Sequence, residues 1–141
     1  MSGPDAEVRR AEAARWLAIA DQDIVAAKHC MNGSPPLPVV AAYHCQQSAE
    51  KIIKALLVSA GISFPKTHDL AALATLASPA YPGLAAAMSR LEPITTWGFA
   101  YRYPPEEELD AVPAPNEIGA RLREIESLRD AAEQGISAKS R

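Results

Sequence analysis

The sequence predicts an all-α protein, an up-and-down bundle of four long helices and one short helix. Apolar residues recur at steps of three and four along most of the chain, which is the period of a helix. Alanine accounts for 28 of the 141 residues, and it has no side-chain entropy to lose in a helix. No segment alternates apolar and polar residues as a half-buried strand does. We therefore assign residues 1–141 to one domain, with a core at about 11–133 and a frayed C-terminal tail.

The first two helices have clear signals at their ends. The first is predicted from about Pro4 to Met31, because Asn32-Gly33 is a typical helix stop and Ser34-Pro35-Pro36 favours a turn. The second is predicted from Pro38 to about Ala60, where Gly61 suits a left-handed cap. The predicted inward positions of the first helix are Val8, Ala11, Trp16, Ile19, Ala20, Ile24 and Ala27. Those of the second are Ala42, Cys45, Ala49, Ile52, Leu56 and Ala60.

The remaining helices are shorter or interrupted. A short helix begins at Thr67, which suits an N-cap, and closes before Ser78-Pro79. A fourth segment extends from about Leu84 to Tyr101, with a kink or break expected at Pro93 because proline lacks a backbone donor. The last helix is predicted from about Asn116 to Gln134, with Gly135 as its stop. Its inward positions are Ile118, Leu122, Ile125, Leu128 and Ala132.

Charge and cysteine usage exclude several classes of protein. The formal net charge is −3, from 14 Lys and Arg against 17 Asp and Glu, which disfavours a general nucleic-acid coat protein but allows a local basic groove. Two cysteines, Cys30 and Cys45, cannot form a disulfide framework. The simplest interpretation is that each is a buried thiol. No signal-peptide pattern and no apolar run of about 18–20 residues occurs, so we predict a cytoplasmic protein without a membrane segment.

The second helix carries an unusual polar stripe. His44, Gln47, Lys51 and Lys54 follow one another at steps of three, four and three, and therefore share one side of the helix. Glu50 and Lys54 are also spaced for an i,i+4 ion pair. One interpretation is a solvated face beside the apolar stripe. The other is a strip of hydrogen-bond donors that holds a phosphate or another polar ligand.

Two further groups are candidates for the same ligand. His68 follows the predicted N-cap and is either a titratable donor at a loop edge or part of the helix start. Arg102 lies between Tyr101 and Tyr103, so a guanidinium fork of five donors has an aromatic ring on each side. That arrangement suits a phosphate, a carboxylate or the face of a base. The alternative is an arginine that caps the last helix carbonyls while the tyrosines pack on the bundle.

No metal or cofactor site is predicted. The pairs His29-Cys30 and His44-Cys45 lie on helices, where adjacent residues point about 100° apart and can hardly ligate one ion. The sequence contains neither a Gly-rich phosphate loop nor a nucleophile elbow. We therefore predict no metal, no cofactor and no catalytic residue.

The chain resembles the HEPN domain (higher eukaryotes and prokaryotes nucleotide-binding) over about residues 11–133. The motifs that carry the resemblance are Trp16 with Ala20 and Asp23, the run Tyr43–Leu57, Thr67-His68-Asp69-Leu70 and Tyr101-Arg102-Tyr103-Pro104. The Arg-Tyr-Pro signature is similar to the nucleotidyltransferase-associated branch. The resemblance implies a helical bundle that forms a homodimer. It also implies pairing with a minimal nucleotidyltransferase, as in toxin–antitoxin pairs.

The resemblance also bears on ribonuclease activity. Many HEPN proteins are metal-independent ribonucleases that use an arginine and a histidine separated by four to six residues. With Arg102 as the arginine, the histidine belongs at 107–109, where this chain has Glu107, Glu108 and Leu109. The catalytic pair of that branch is absent from the sequence, so whether the chain is an enzyme stays open.

Three functional hypotheses follow. The first is a module that binds a nucleotide or similar anion and partners a nucleotidyltransferase. Its binding residues are His44, Gln47, Lys51, Lys54, His68, Arg102 and Tyr103. The second is a divergent ribonuclease toxin in which His44 or His68 replaces the missing base. The third is a purely structural dimeric scaffold, and the sequence leaves open whether a nucleic acid is a partner.

Overall fold

The computed structural model describes residues 4–100 and 112–139, which form helices joined by turns and contain no strand. The α-helices are α1 (Pro4–Asn32), α2 (Pro38–Ser59), α3 (Leu70–Ala77), α4 (Ala85–Leu91), α5 (Trp97–Ala100) and α6 (Pro115–Lys139). Two 3-10 helices, Pro82–Leu84 and Glu92–Thr96, lie between α3 and α5. The predicted all-α bundle is confirmed. In this part of the chain no helix is long and apolar enough to span a bilayer.

Helix α2 is the central element of the bundle. It packs against α1, α3, α5 and α6. Ile52, Ile53, Leu56 and Leu57 are all fully buried, although successive residues point to different sides of a helix. Because α2 has neighbours on most of its circumference, its polar side chains need partners inside the fold.

The end of α2 matches the prediction from Gly61. This glycine has a φ of 71°, a conformation that a residue with a side chain adopts only with strain. Its N–H donates to the Val58 carbonyl at 3.1 Å, and the Ile62 N–H donates to the Leu57 carbonyl at 2.9 Å. This pair of hydrogen bonds is the Schellman motif, which satisfies carbonyls that the helix end leaves unpaired.

The inward face of α1 differs from the predicted one. The buried apolar residues of this helix are Ala13, Leu17, Ala20, Ile24 and Ala27. Val8 and Ile19, which we placed inward, are 62% and 44% exposed, and Ala11 is exposed as well. The prediction was wrong here because alanine lies on every side of α1, so steps of three and four fit more than one face.

The predicted break at Pro93 is confirmed as the 3-10 helix Glu92–Thr96, which separates α4 from α5. The start of α3 differs from the prediction by two residues. Asp69, and not Thr67, is its N-cap, because the Asp69 carboxylate accepts from the Ala71 N–H at 3.0 Å. The Thr67 hydroxyl instead accepts from the Asp69 N–H at 3.1 Å.

The predicted stop at Gly135 was wrong, and α6 continues as a helix through Lys139, into the tail that we expected to fray. A Cβ at position 135 would lie 3.3 Å from Cε1 of Tyr81, so the glycine allows the tyrosine ring to pack against the helix. Ile136, the next residue, is 5% exposed and belongs to the core. The absence of a side chain at this position therefore serves packing and does not end the helix.

Candidate functional site

The polar stripe of α2 is organised around two carboxylates. The first is Asp23 of α1, which is 8% exposed. It accepts from Nδ1 of His44 at 2.8 Å and from Nζ of Lys51 at 2.5 Å, one partner on each carboxylate oxygen. We call these three residues the Asp23 cluster. It links α1 to α2 through two charge-assisted hydrogen bonds.

The second carboxylate is Glu50 of α2, which is 4% exposed. It accepts from Nζ of Lys54 at 2.9 Å, from Nδ1 of His68 at 2.8 Å and from Nε2 of Gln46 at 3.3 Å. Gln46 also donates to the His68 carbonyl at 3.1 Å and accepts from Gln47 at 2.7 Å. These five residues are the Glu50 cluster, and they fix the segment before α3 against the middle of α2.

Glu50 is held in its ionised form. Burial acts to raise its pKa, but the hydrogen bonds from Lys54 and His68 and the charge of Lys54 outweigh burial and lower the pKa below 4.5. The ammonium of Lys54 also lies 5.7 Å from the ring centres of both Trp16 and Phe64. The lysine is therefore enclosed by one carboxylate and two aromatic rings.

These contacts change how the stripe is interpreted. Gln47 and Lys54 are each 9% exposed, so the stripe is not a solvated face. Both lysines are also ion-paired, Lys51 with Asp23 and Lys54 with Glu50. The stripe thus carries little uncompensated positive charge, unlike a row of free ammonium groups.

His44 is the most accessible side chain of the Asp23 cluster, and His68 is the most accessible side chain of the Glu50 cluster. The side chains of His44 and His68 are 27% and 49% exposed. A carboxylate only accepts hydrogen bonds, so each Nδ1 must carry the proton that it shares with Asp23 or Glu50. Each Nε2 is then a lone-pair acceptor in the neutral ring and a second donor in the charged ring. The charged ring can donate to a phosphate oxygen, and the neutral ring can accept a proton from a ligand.

Helix α5 covers one side of the Glu50 cluster. A Cβ on Gly98 would lie 2.8 Å from Oε1 of Gln46, so the helix approaches this closely because position 98 has no side chain. The helix ends at Ala100. Arg102 and Tyr103 follow two and three residues later and lie outside the described residues. Their convergence with the stripe therefore stays a prediction.

Sequence reasoning did not assign Asp23 or Gln46 to the site. It predicted Glu50 only as the i,i+4 partner of Lys54, and that ion pair is confirmed. A signal for Asp23 existed, because it follows Ala20 by three residues and precedes Ala27 by four, on the buried face of α1. A single acid on an inward face predicts a partner on the facing helix. Gln46 gives no comparable signal, since its contact with the segment before α3, the His68 carbonyl, lies 22 residues away in the sequence.

The two cysteines differ in burial, because Cys45 is buried and Cys30 is partly exposed. Burial raises the pKa of the Cys45 thiol to about 12, so this group stays protonated and unreactive at neutral pH. Within residues 4–100 and 112–139, no group of three or more His, Cys, Asp or Glu side chains is placed to hold a metal ion.

Comparison with known proteins gives one match. A family model described as the HEPN domain matches residues 13–138, nearly the whole chain. No curated protein and no solved structure matches the chain. The match begins within α1 and continues through α2, His68 and α3, and it therefore includes every residue of the two clusters.

Proposed function

Because the chain belongs to the HEPN domain family, we propose that it is a module that binds a nucleotide or a similar phosphate-bearing anion. One observation carries the proposal. His44 and His68 each have Nδ1 hydrogen-bonded to a buried carboxylate, and their side chains are 27% and 49% exposed. An imidazole fixed in this way loses little conformational entropy when it binds.

The remaining predicted residues have different parts in this proposal. Lys51 and Lys54 hold the carboxylates in position, and Gln47 supports Gln46, so they act through their neighbours. Arg102 supplies a bidentate donor for phosphate, and Tyr103 supplies a ring for stacking on a base. The nucleotidyltransferase partner, the homodimer and the toxin–antitoxin context are part of the same proposal and rest on the resemblance of the Arg-Tyr-Pro signature.

Calorimetric titration with ATP and GTP tests the binding proposal. We expect the wild-type protein to bind both nucleotides. His44→Gln and Arg102→Ala should each weaken binding by about tenfold, the loss of one charge-assisted hydrogen bond. His29→Gln is the matched control, since His29 is exposed on α1 and belongs to neither cluster. Absence of binding in the wild type, or equal affinity in all variants, contradicts the proposal.

The same geometry favours one second candidate, a divergent metal-independent ribonuclease. When a carboxylate accepts from Nδ1–H, the lone pair of the neutral imidazole is on Nε2, which is how enzymes hold a general base. His44 would take the proton of the 2′-hydroxyl and His68 would protonate the leaving oxygen.

Single-stranded RNA incubated with the protein in chelator tests the ribonuclease candidate. We expect cleavage to fall by about 100-fold in His44→Gln, within the range that one acid–base group contributes. A DNA strand of the same sequence is the control, because it lacks the 2′-hydroxyl nucleophile. Intact RNA with the wild-type protein rejects this candidate. A chain that neither binds nucleotides nor cleaves RNA fits the third hypothesis, the dimeric scaffold.

A further inference from the structure

A cavity of about 200 Å³ lies at the end of the bundle where α2 finishes. It is lined by Ala6, Arg9 and Arg10 from the start of α1, by Ser59 from α2 and by Lys139 from the end of α6. None of these residues belongs to the Asp23 or Glu50 cluster, and Ser59 lies 5 residues beyond Lys54, the last cluster residue on α2, or about 8 Å along the helix. The cavity is therefore separate from the Asp23 and Glu50 clusters.

The lining carries three positive charges and no carboxylate. Among residues 5–99 and 112–139, no acidic side chain forms an ion pair with Arg9, Arg10 or Lys139. The chain as a whole has a net charge of −3, so this concentration of uncompensated positive charge is local. Like charges around one cavity repel each other, and a bound anion relieves that repulsion.

Two of the three cations are positioned by neutral acceptors. Nε of Arg9 donates to the Ser59 carbonyl at 3.5 Å, and the guanidinium passes beside Gly61, which has no side chain to displace it. Nζ of Lys139 donates to the Ala80 carbonyl at 3.0 Å and lies 4.9 Å from the Tyr81 ring centre. These contacts orient the two groups without neutralising them, because the acceptors are uncharged carbonyls.

We propose that this cavity binds a compact phosphate-bearing anion, of which inorganic pyrophosphate is the simplest representative. The planar donor fork of arginine matches phosphate oxygens in pairs. Ala6 lies in the first turn of the long helix α1, where the helix dipole also favours negative charge. The volume suits one or two phosphate groups and is small for a ligand-binding cavity, so a whole nucleotide does not fit inside it.

Calorimetric titration with pyrophosphate and with inorganic phosphate in about 0.1 M salt tests the site, because the salt screens weak surface attraction. We expect pyrophosphate to bind more tightly than phosphate. Arg9→Gln and Arg10→Gln should each weaken pyrophosphate binding by about tenfold. Arg10 is exposed, so its replacement is the variant that leaves folding least disturbed. Circular dichroism checks that each variant is folded.

Two control variants distinguish this site from other sources of binding. Arg90→Gln removes the same charge from a residue that is 60% exposed and pairs with Glu124, outside the cavity. His29→Gln changes an exposed residue of α1 that belongs to neither cluster and lies outside the cavity. Both should bind pyrophosphate as the wild type does. The proposal is overturned if the wild type binds no pyrophosphate, if Arg9→Gln and Arg10→Gln bind it normally, or if either control loses it.

Discussion

Replacing Glu50 with alanine is expected to lower the free energy of unfolding by about 3–5 kcal/mol, because it leaves a buried ammonium without its counter-charge. Glu50 is 4% exposed and Lys54 is 9% exposed, so water cannot substitute for the lost carboxylate. The substitution also removes the acceptor of His68 and Gln46. Urea unfolding followed by circular dichroism at pH 7 measures the effect.

Two further variants test whether the unpaired charge causes the loss of stability in Glu50→Ala. Glu50→Gln keeps the shape and removes the charge. Because the pKa of Glu50 in the folded protein is below its ordinary value of 4.5, the stability that its charge confers is present above pH 4.5. This stability is lost as pH falls through the lower folded-state pKa, so the stability difference between Glu50→Gln and the wild type should shrink in acid.

The double variant Glu50→Leu with Lys54→Met should be more stable than Glu50→Ala, because it leaves no unpaired charge. A cost below about 1 kcal/mol for Glu50→Ala contradicts the argument.

Truncating Leu56 to alanine is expected to cost about 2–5 kcal/mol of unfolding free energy. Its side chain is fully buried on α2, where neighbouring helices leave little room for the core to collapse around a cavity. Leu76→Ala is the matched control, since it makes the same chemical change on α3 at a residue that is 36% exposed. Thermal and urea unfolding of both variants measure the difference. Equal losses would show that Leu56 does not pack as the structure describes.

The helix ends were largely predictable because their signals are local. Asn32 and Gly61 mark the ends of α1 and α2 through backbone preferences that involve only neighbouring residues. Pro93 marks the break before α5 for the same reason. The helix end predicted at Gly135 was wrong because a glycine can also occur inside a helix where a neighbouring side chain packs closely. Here that neighbour is Tyr81, and the contact depends on tertiary structure.

The candidate site was predictable only in part. His44 and Lys51 could be placed on one side of α2 from spacing alone. Their common partner Asp23 comes from α1, 21 residues before His44, and spacing within α2 does not contain that information. The periodicity treats Lys54 as an outward residue, whereas Trp16, Phe64 and Glu50 enclose it. Burial of a charged residue depends on partners that only the folded chain brings together.

The two ends of the described chain lie beside the same cavity, since α1 contributes Ala6 and α6 contributes Lys139. A fluorescent protein or an immobilisation tag attached beside Ala6 or Lys139 therefore starts from that end of the bundle. The histidines of the two clusters remain clear of such an attachment. Gln46, which contacts His68 and lies two residues after His44, is about 20 Å along α2 from Ser59 at the cavity. A fusion attached at either of these ends can thus be tethered to a surface with His44 and His68 free.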